Sequence, residues 1–267
     1  LEEFPAFATI KAQLEVKFKY LRLPDDRTQP SSGSFAGRVV NIGLDVGSTM
    51  AKVLIEDDEN GEALSIKAYS NSGDTIETVK AIFRDIRQNI GNQMKVRAIG
   101  ITGSARFQVK EALTRIYPDL MPRTSVLVEN YAHAHGSINY ARAHLNWLKE
   151  RGIQALNEDF CILVDIGGED TKVSTIALSE AELFNNAMNL KCSAGTGSLM
   201  DTLSALFGLK NAGEASKLAF DAAKSFSINA TCAVFLMENA QKLQAEGVPR
   251  GEILASVNWA IVENMAR

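Results

Sequence analysis

The chain is short of cysteine, histidine and proline: its 267 residues include three Cys, three His and six Pro. So sparse and odd a set of thiols, Cys161, Cys192 and Cys232, argues against a disulfide framework and leaves buried thiols or ligands. No apolar run approaches the roughly 18 residues of a membrane span. The start, LEEFPAFATIKAQLEVKFKY, lacks the apolar centre of a signal peptide. Nor is there any basic excess. A net charge of −4 argues against nucleic acid or an anionic membrane surface as partner. These absences point to a cytoplasmic protein. Leu1 in place of Met points to a piece of a longer chain. At 46% hydrophobic and 22% charged the composition is ordinary globular, enough for one large domain or two medium ones.

Residues 1–37 differ from the rest. RLPDDRTQPSSGSFAG is rich in Pro, Ser, Gly and charge, so a linker or mobile lead-in is expected to end near Gly37. From Arg38 the pattern becomes α/β. VVNIGLDV (39–46) reads as a buried strand, followed across a Gly-Ser-Thr turn by AKVLIED (51–57). Ile76, Val79, Phe83, Ile86 and Ile90 then share one helical face, with Gly91 at the C-cap. VRAIGITG (96–103) is the next strand, and Ser104 is expected to cap a short helix. A longer helix is expected over 129–151, and FCILVDIGG (160–168) reads as a second fully buried strand with TKVSTIAL (171–178) as its hairpin partner. Helices follow at 197–208, 213–224, 231–246 and 250–266. Strand, tight turn, strand, then helices, occurring twice, implies two similar half-domains with mixed sheets, about 38–158 and 159–267.

Chemistry concentrates in the hairpins. In GLDVGSTMAK a strand delivers Asp45 to its end and Gly47 allows a tight turn. The amides and hydroxyls of Gly47, Ser48 and Thr49 then converge as an anion nest suited to phosphate. Asp45 can position hydrated Mg²⁺ there, and Lys52 can add a point charge. Taken alone, a plain hairpin turn explains the segment as well. It is not alone. VDIGGEDTK repeats the logic with Asp165, Gly167, Gly168 and Lys172, 120 residues later (165 − 45). Two Asp-x-Gly hairpins in this order fit a phosphate clamp with one jaw from each half.

The two hairpins resemble the phosphate motifs of the acetate/sugar kinase, chaperone and actin superfamily. GITGSARF (100–107), ENYAHAHGS (129–137), DIGGEDTKV, KCSAGTGSLMD and TCAVF (231–235) stand in the order seen in ATP-dependent activators of 2-hydroxyacyl-CoA dehydratases. The ATPase subunits of benzoyl-CoA reductases are close relatives. The resemblance runs from about Asn41 to Arg267 and implies actin-like (ribonuclease H-like) half-domains. It implies ATP with Mg²⁺ held by Asp45 and Asp165, phosphate contacts that include Gly103, and water orientation by Glu169 and Asp170. It also implies a [4Fe–4S] cluster to which each subunit of a homodimer gives two cysteines, here Cys192 and Cys232. A second activase-like domain of a fused protein is the alternative mate. The implied activity is ATP-driven one-electron transfer to an iron–sulfur acyl-CoA dehydratase or reductase, with ferredoxin or flavodoxin as donor.

The residues can be weighed beside that resemblance. A cluster wants four thiolates, and a two-fold axis doubles two to four. Cys192 and Cys232 each precede an expected helix, whose N-terminus favours a thiolate. A buried thiol at a packing point is the alternative for both, and core packing is expected for Cys161. Gly195, Thr196 and Gly197 can reach a phosphate at the start of their helix. His133, His135 and His144 are spaced so that no two share a face for a metal, and His133 alone is placed in the cleft. The family often has Gln at the place of Glu169 and Glu at that of Met237, here with Glu238 one residue on. The added carboxylate at Glu169 predicts slow hydrolysis. The family's later adenosine loop, closing strand and helices do not occur before Arg267, so the second half reads as truncated. A sugar or small-metabolite kinase without a cluster, and a non-redox ATP-binding regulatory module, are the rival readings.

Overall fold

The computed structural model describes residues 3–14, 35–71, 73–89, 93–168, 170–188, 197–229 and 232–266. Contacts separate two units: Leu21–Gly136, the first, and Leu1–Tyr20 with Ser137–Arg267, the second. The chain opens with β1 (Glu3–Phe4) and α1 (Phe7–Leu14), which belong to the second unit. Residues 3–14 are therefore docked, where the sequence suggested only a lead-in. The reason is aromatic: Phe4 and Phe7 stack on Trp259 at 5.1 and 5.2 Å between ring centres.

In the first unit come β2 (Val39–Val46), β3 (Met50–Asp57), β4 (Ala63–Ser70), α2 (Thr75–Asn89), β5 (Lys95–Thr102), α3 (Arg106–Ile116) and β6 (Thr124–Val126). The sheet order is β4-β3-β2-β5-β6, with β2 antiparallel to β3 and parallel to β5. Alternation along β2 puts Ile42, Leu44 and Val46 in one core with Val79 and Ile82 of α2 and Val109 and Leu113 of α3. The expected face of α2 omits Ile82, which is fully buried, while Ile76, Phe83 and Ile86 flank it half-buried. Ile90 and Gly91 lie outside the described residues.

Ser104 does not cap α3. The N-cap is Ala105, without a side-chain bond, and Ser104 is exposed. Gly103 at φ +93° instead turns the chain so that the Ala105 amide donates to the Val46 carbonyl at 3.1 Å. Only glycine fits, because a Cβ there would lie 2.4 Å from the Val46 carbonyl oxygen.

Helix α4 (Glu129–Glu150) follows, and the division between the units falls within it. In the second unit β7 (Phe160–Ile166), β8 (Thr171–Ala177) and β9 (Glu182–Met188) make an antiparallel sheet. Then come α5 (Gly197–Leu206), α6 (Ala212–Phe220), β10 (Ser225–Phe226), α7 (Ala233–Ala245) and α8 (Arg250–Ala266). Strand β10 pairs with β1. The core here is helical: Leu199 and Leu203 of α5 meet Leu236 of α7 and Ile253, Leu254 and Val257 of α8.

One expectation fails. β7 is not buried on both faces: Phe160, Ile162, Val164 and Ile166 stand exposed, Ile162 at 71%. Its counterpart β2 has β5 on its second edge, whereas among the described residues β7 pairs only with β8. An apolar run marks a strand but does not say what covers it. Cys161, on the opposite face, is half-buried, and burial pushes its thiol up from the usual cysteine range.

Candidate nucleotide site

The first hairpin is built as its residues dictate. Asp45, the last residue but one of β2, lies directly across from Lys52 of β3, and Lys52 Nζ donates to Asp45 Oδ2 at 2.8 Å. The turn closes through Gly47 N to Met50 O at 3.0 Å, so that amide serves the turn. Asn71 braces the same loop: its side chain donates to Gly47 O at 2.7 Å and its amide to Thr49 O at 2.8 Å. Ser48 and Thr49 are left exposed at the tip, where an anion can reach them. Burial works to raise the Asp45 carboxyl, but hydrogen bonding and charge from His133 and Lys52 outweigh it and lower it to about 2.

The second hairpin repeats this register. Asp165 pairs across with Lys172, and Gly167 N donates to Asp170 O at 2.8 Å. The ammonium is placed differently. Lys172 Nζ donates to Asp170 Oδ1 at 2.9 Å with a side chain 5% exposed, whereas the Lys52 side chain is 50% exposed. Lys172 is thus a clamp inside its turn, and it holds one oxygen of Asp170. A Cβ on Gly167 would lie 2.6 Å from that same Asp170 oxygen.

This turn is tied to α5. Gly197 N donates to Gly167 O at 2.8 Å, and Ser198 N donates to Gly168 O at 3.0 Å. The helix's first two amides, ordinarily open to an anion, are engaged by the glycine turn. Glu169, Cys192, Gly195 and Thr196 lie outside the described residues. Cys232 is the N-cap of α7, half-buried, with no cap hydrogen bond from its side chain. Ser198, Thr202, Met237 and Glu238 line a groove of about 510 Å³ between α5 and α7.

The structure also assembles a group that sequence reading passed over. Glu129 and His133, one turn apart on α4, meet Asp45, and the ligand-type atoms of all three lie within 4.8 Å of one another. His133 Nε2 is 3.6 Å from Asp45 Oδ2. The Glu-x-x-x-His spacing was the available signal, since i and i+4 share a helix face. Among the other histidines, His135 packs on Tyr131 and His144 on Trp147.

Paired Asp–Lys hairpins with glycine turns, each on its own sheet, define a nucleotide-binding protein of the actin-like class. Comparison with known proteins agrees and narrows it. Residues 42–267 match the BadF/BadG/BcrA/BcrD ATPase family, and the chain belongs to that family. It is 24% identical over 225 residues to the 2-hydroxyisocaproyl-CoA dehydratase activator of Clostridioides difficile, covering 84% of this chain and 73% of that protein. It is 20% identical over 232 residues to the (R)-2-hydroxyglutaryl-CoA dehydratase activating ATPase of Acidaminococcus fermentans, covering 85% and 76%. The fold matches the solved structure of the C. difficile activator with bound ADPNP at a TM-score of 0.65, with 21% identity over 85% of this chain and 74% of that one. It matches component A of the A. fermentans dehydratase at 0.63, with 23% identity over 85% and 76%. No helix among the described residues is long and apolar enough to cross a membrane.

Proposed function

We propose that this chain is the ATP-hydrolysing part of an iron–sulfur reductive activase working in the cytoplasm. The partner is an iron–sulfur acyl-CoA dehydratase or reductase, and the donor is a ferredoxin or flavodoxin. Family membership and the names of the relatives support the ATPase and its class of partner. The observation that carries the coupling is the pair of amide bonds from Gly197 and Ser198 to the Gly167–Gly168 turn.

In the first unit the exposed Ser48 and Thr49 at the hairpin tip are the proposed phosphate contacts, and in the second unit the Gly167–Gly168 turn is. Asp45 fits the role of carrying the nucleotide's divalent cation, being ionised and near a strand end beside the open tip; Asp165 is its counterpart in the second hairpin. Asp170, with one carboxylate oxygen held by Lys172, is left to orient water with its other oxygen, alongside Glu169. A turn that shifts on loss of the γ-phosphate pulls directly on the start of α5.

Cys232 fits a cluster ligand: it is half-buried, uncommitted as a cap, and at a helix N-terminus, whose dipole suits a negatively charged cluster. Cys192, five residues before α5, is proposed as the second. A [4Fe–4S] cluster bound by two such pairs, from a homodimer or from a second activase-like domain, supplies a low-potential one-electron donor. Anaerobic reconstitution with iron and sulfide tests the reading. A brown protein with about two irons per chain, lost in the Cys192→Ala, Cys232→Ala double variant, supports it. A colourless protein that phosphorylates a small metabolite overturns it.

A further inference from the structure

Asp45, Glu129 and His133 come from two rigid elements of one unit. Asp45 is held in β2 between buried Leu44 and Val46, and the other two project from the first two turns of α4. All three are half-buried, unlike acidic groups scattered on a surface. A divalent ion with bonds near 2.1 Å sets neighbouring ligands about 3.0–3.4 Å apart. The 3.6 Å from His133 Nε2 to Asp45 Oδ2 is within a small side-chain adjustment of that spacing. Without an ion, the Lys52 ammonium bonds Asp45 Oδ2 at 2.8 Å and stands in for a cation. Its half-exposed side chain is free to withdraw to solvent.

We propose that Asp45, Glu129 and His133 form a divalent-cation site with one imidazole ligand, which binds a transition ion such as Mn²⁺ or Zn²⁺ in preference to Mg²⁺. Mg²⁺ is a hard ion that keeps oxygen ligands and its own water. An imidazole nitrogen adds affinity for first-row transition ions, rising toward zinc and copper. His133 is thus the selectivity determinant, Asp45 and Glu129 supply charge, and Lys52 is the competitor the ion displaces. The site deepens the proposed function, because it rests on Asp45 carrying the cation beside the phosphate-binding tip.

Calorimetric titration of the full chain with Mn²⁺, Zn²⁺ and Mg²⁺, and Mn²⁺ paramagnetic resonance, provide readouts independent of turnover. One Zn²⁺ or Mn²⁺ per chain is expected to bind more tightly than Mg²⁺. His133→Gln should lose about tenfold or more of that affinity while Mg²⁺ binding stays nearly unchanged. Lys52→Met should shift affinity the opposite way, tightening every ion, which a misfolded protein would not do. Ion binding indifferent to His133→Gln, Glu129→Gln and Lys52→Met, or a preference for Mg²⁺ in the unaltered chain, overturns the site. Absence of ATP hydrolysis with any ion overturns the proposed function, while a single His133-dependent ion per chain still supports the site.

Discussion

The two hairpins share a plan and differ in where they put their lysine. In both, an aspartate faces a lysine seven positions on, and a glycine amide closes the turn at 2.8–3.0 Å. Lys52 stays half in solvent against Asp45, while Lys172 is buried against Asp170. The first hairpin therefore keeps its charge available to a ligand, and the second spends its charge on its own shape. Their sheets differ likewise: β2 is covered and paired on both edges, and β7 presents an open apolar face.

The comparison is broken most severely at Gly103. Gly103→Ala forces a left-handed residue into the Val46 backbone and is expected to cost about 3 kcal/mol or more in denaturant unfolding. Ile42→Ala in buried β2 should cost about 2–4 kcal/mol, whereas Ile162→Ser on the open face of β7 should stay within about 0.5 kcal/mol. Equal costs would mean that the open face is covered in solution. Lys172→Met removes a buried clamp and should cost about 1–2 kcal/mol, against about 0.5 or less for Lys52→Met; the same urea series reads both.

A further effect appears in acid. The Asp45 carboxyl is lower in the folded chain, about 2, than its ordinary 3.8. The unfolded chain thus binds its proton first on acidification. The Asp45 contribution to stability is complete above about pH 4 and lost as pH falls through about 2. Asp45→Asn should lower stability near neutrality and converge on the unaltered chain as pH falls through about 2, which flattens that part of the stability–pH curve.

Much of this was legible in sequence. Asp45, Lys52, Asp165 and Lys172 sit across their hairpins as their spacing implied, because a two-residue period and a glycine turn set register locally. The third strand of each sheet was not legible. ELFNNAM carries two asparagines and ALSIKAYS alternates weakly, and both are held by pairing with β8 and β3. Ile82 escaped because one helix presents several apolar stripes and the sheet chooses among them. Glu129 and His133 reach Asp45 only through the tertiary placement of the start of α4, which no local pattern encodes. The burial of Lys172 is equally non-local.

The central claim is that the second glycine turn and the start of α5 move together when nucleotide binds. Amide hydrogen exchange at Gly197 and Ser198, with and without a non-hydrolysable ATP analogue, tests it most directly. The account predicts a nucleotide-dependent change in protection at both amides, abolished when Gly167→Ala disrupts the turn. Unchanged exchange at Gly197 and Ser198 in a chain that demonstrably binds the analogue would contradict it.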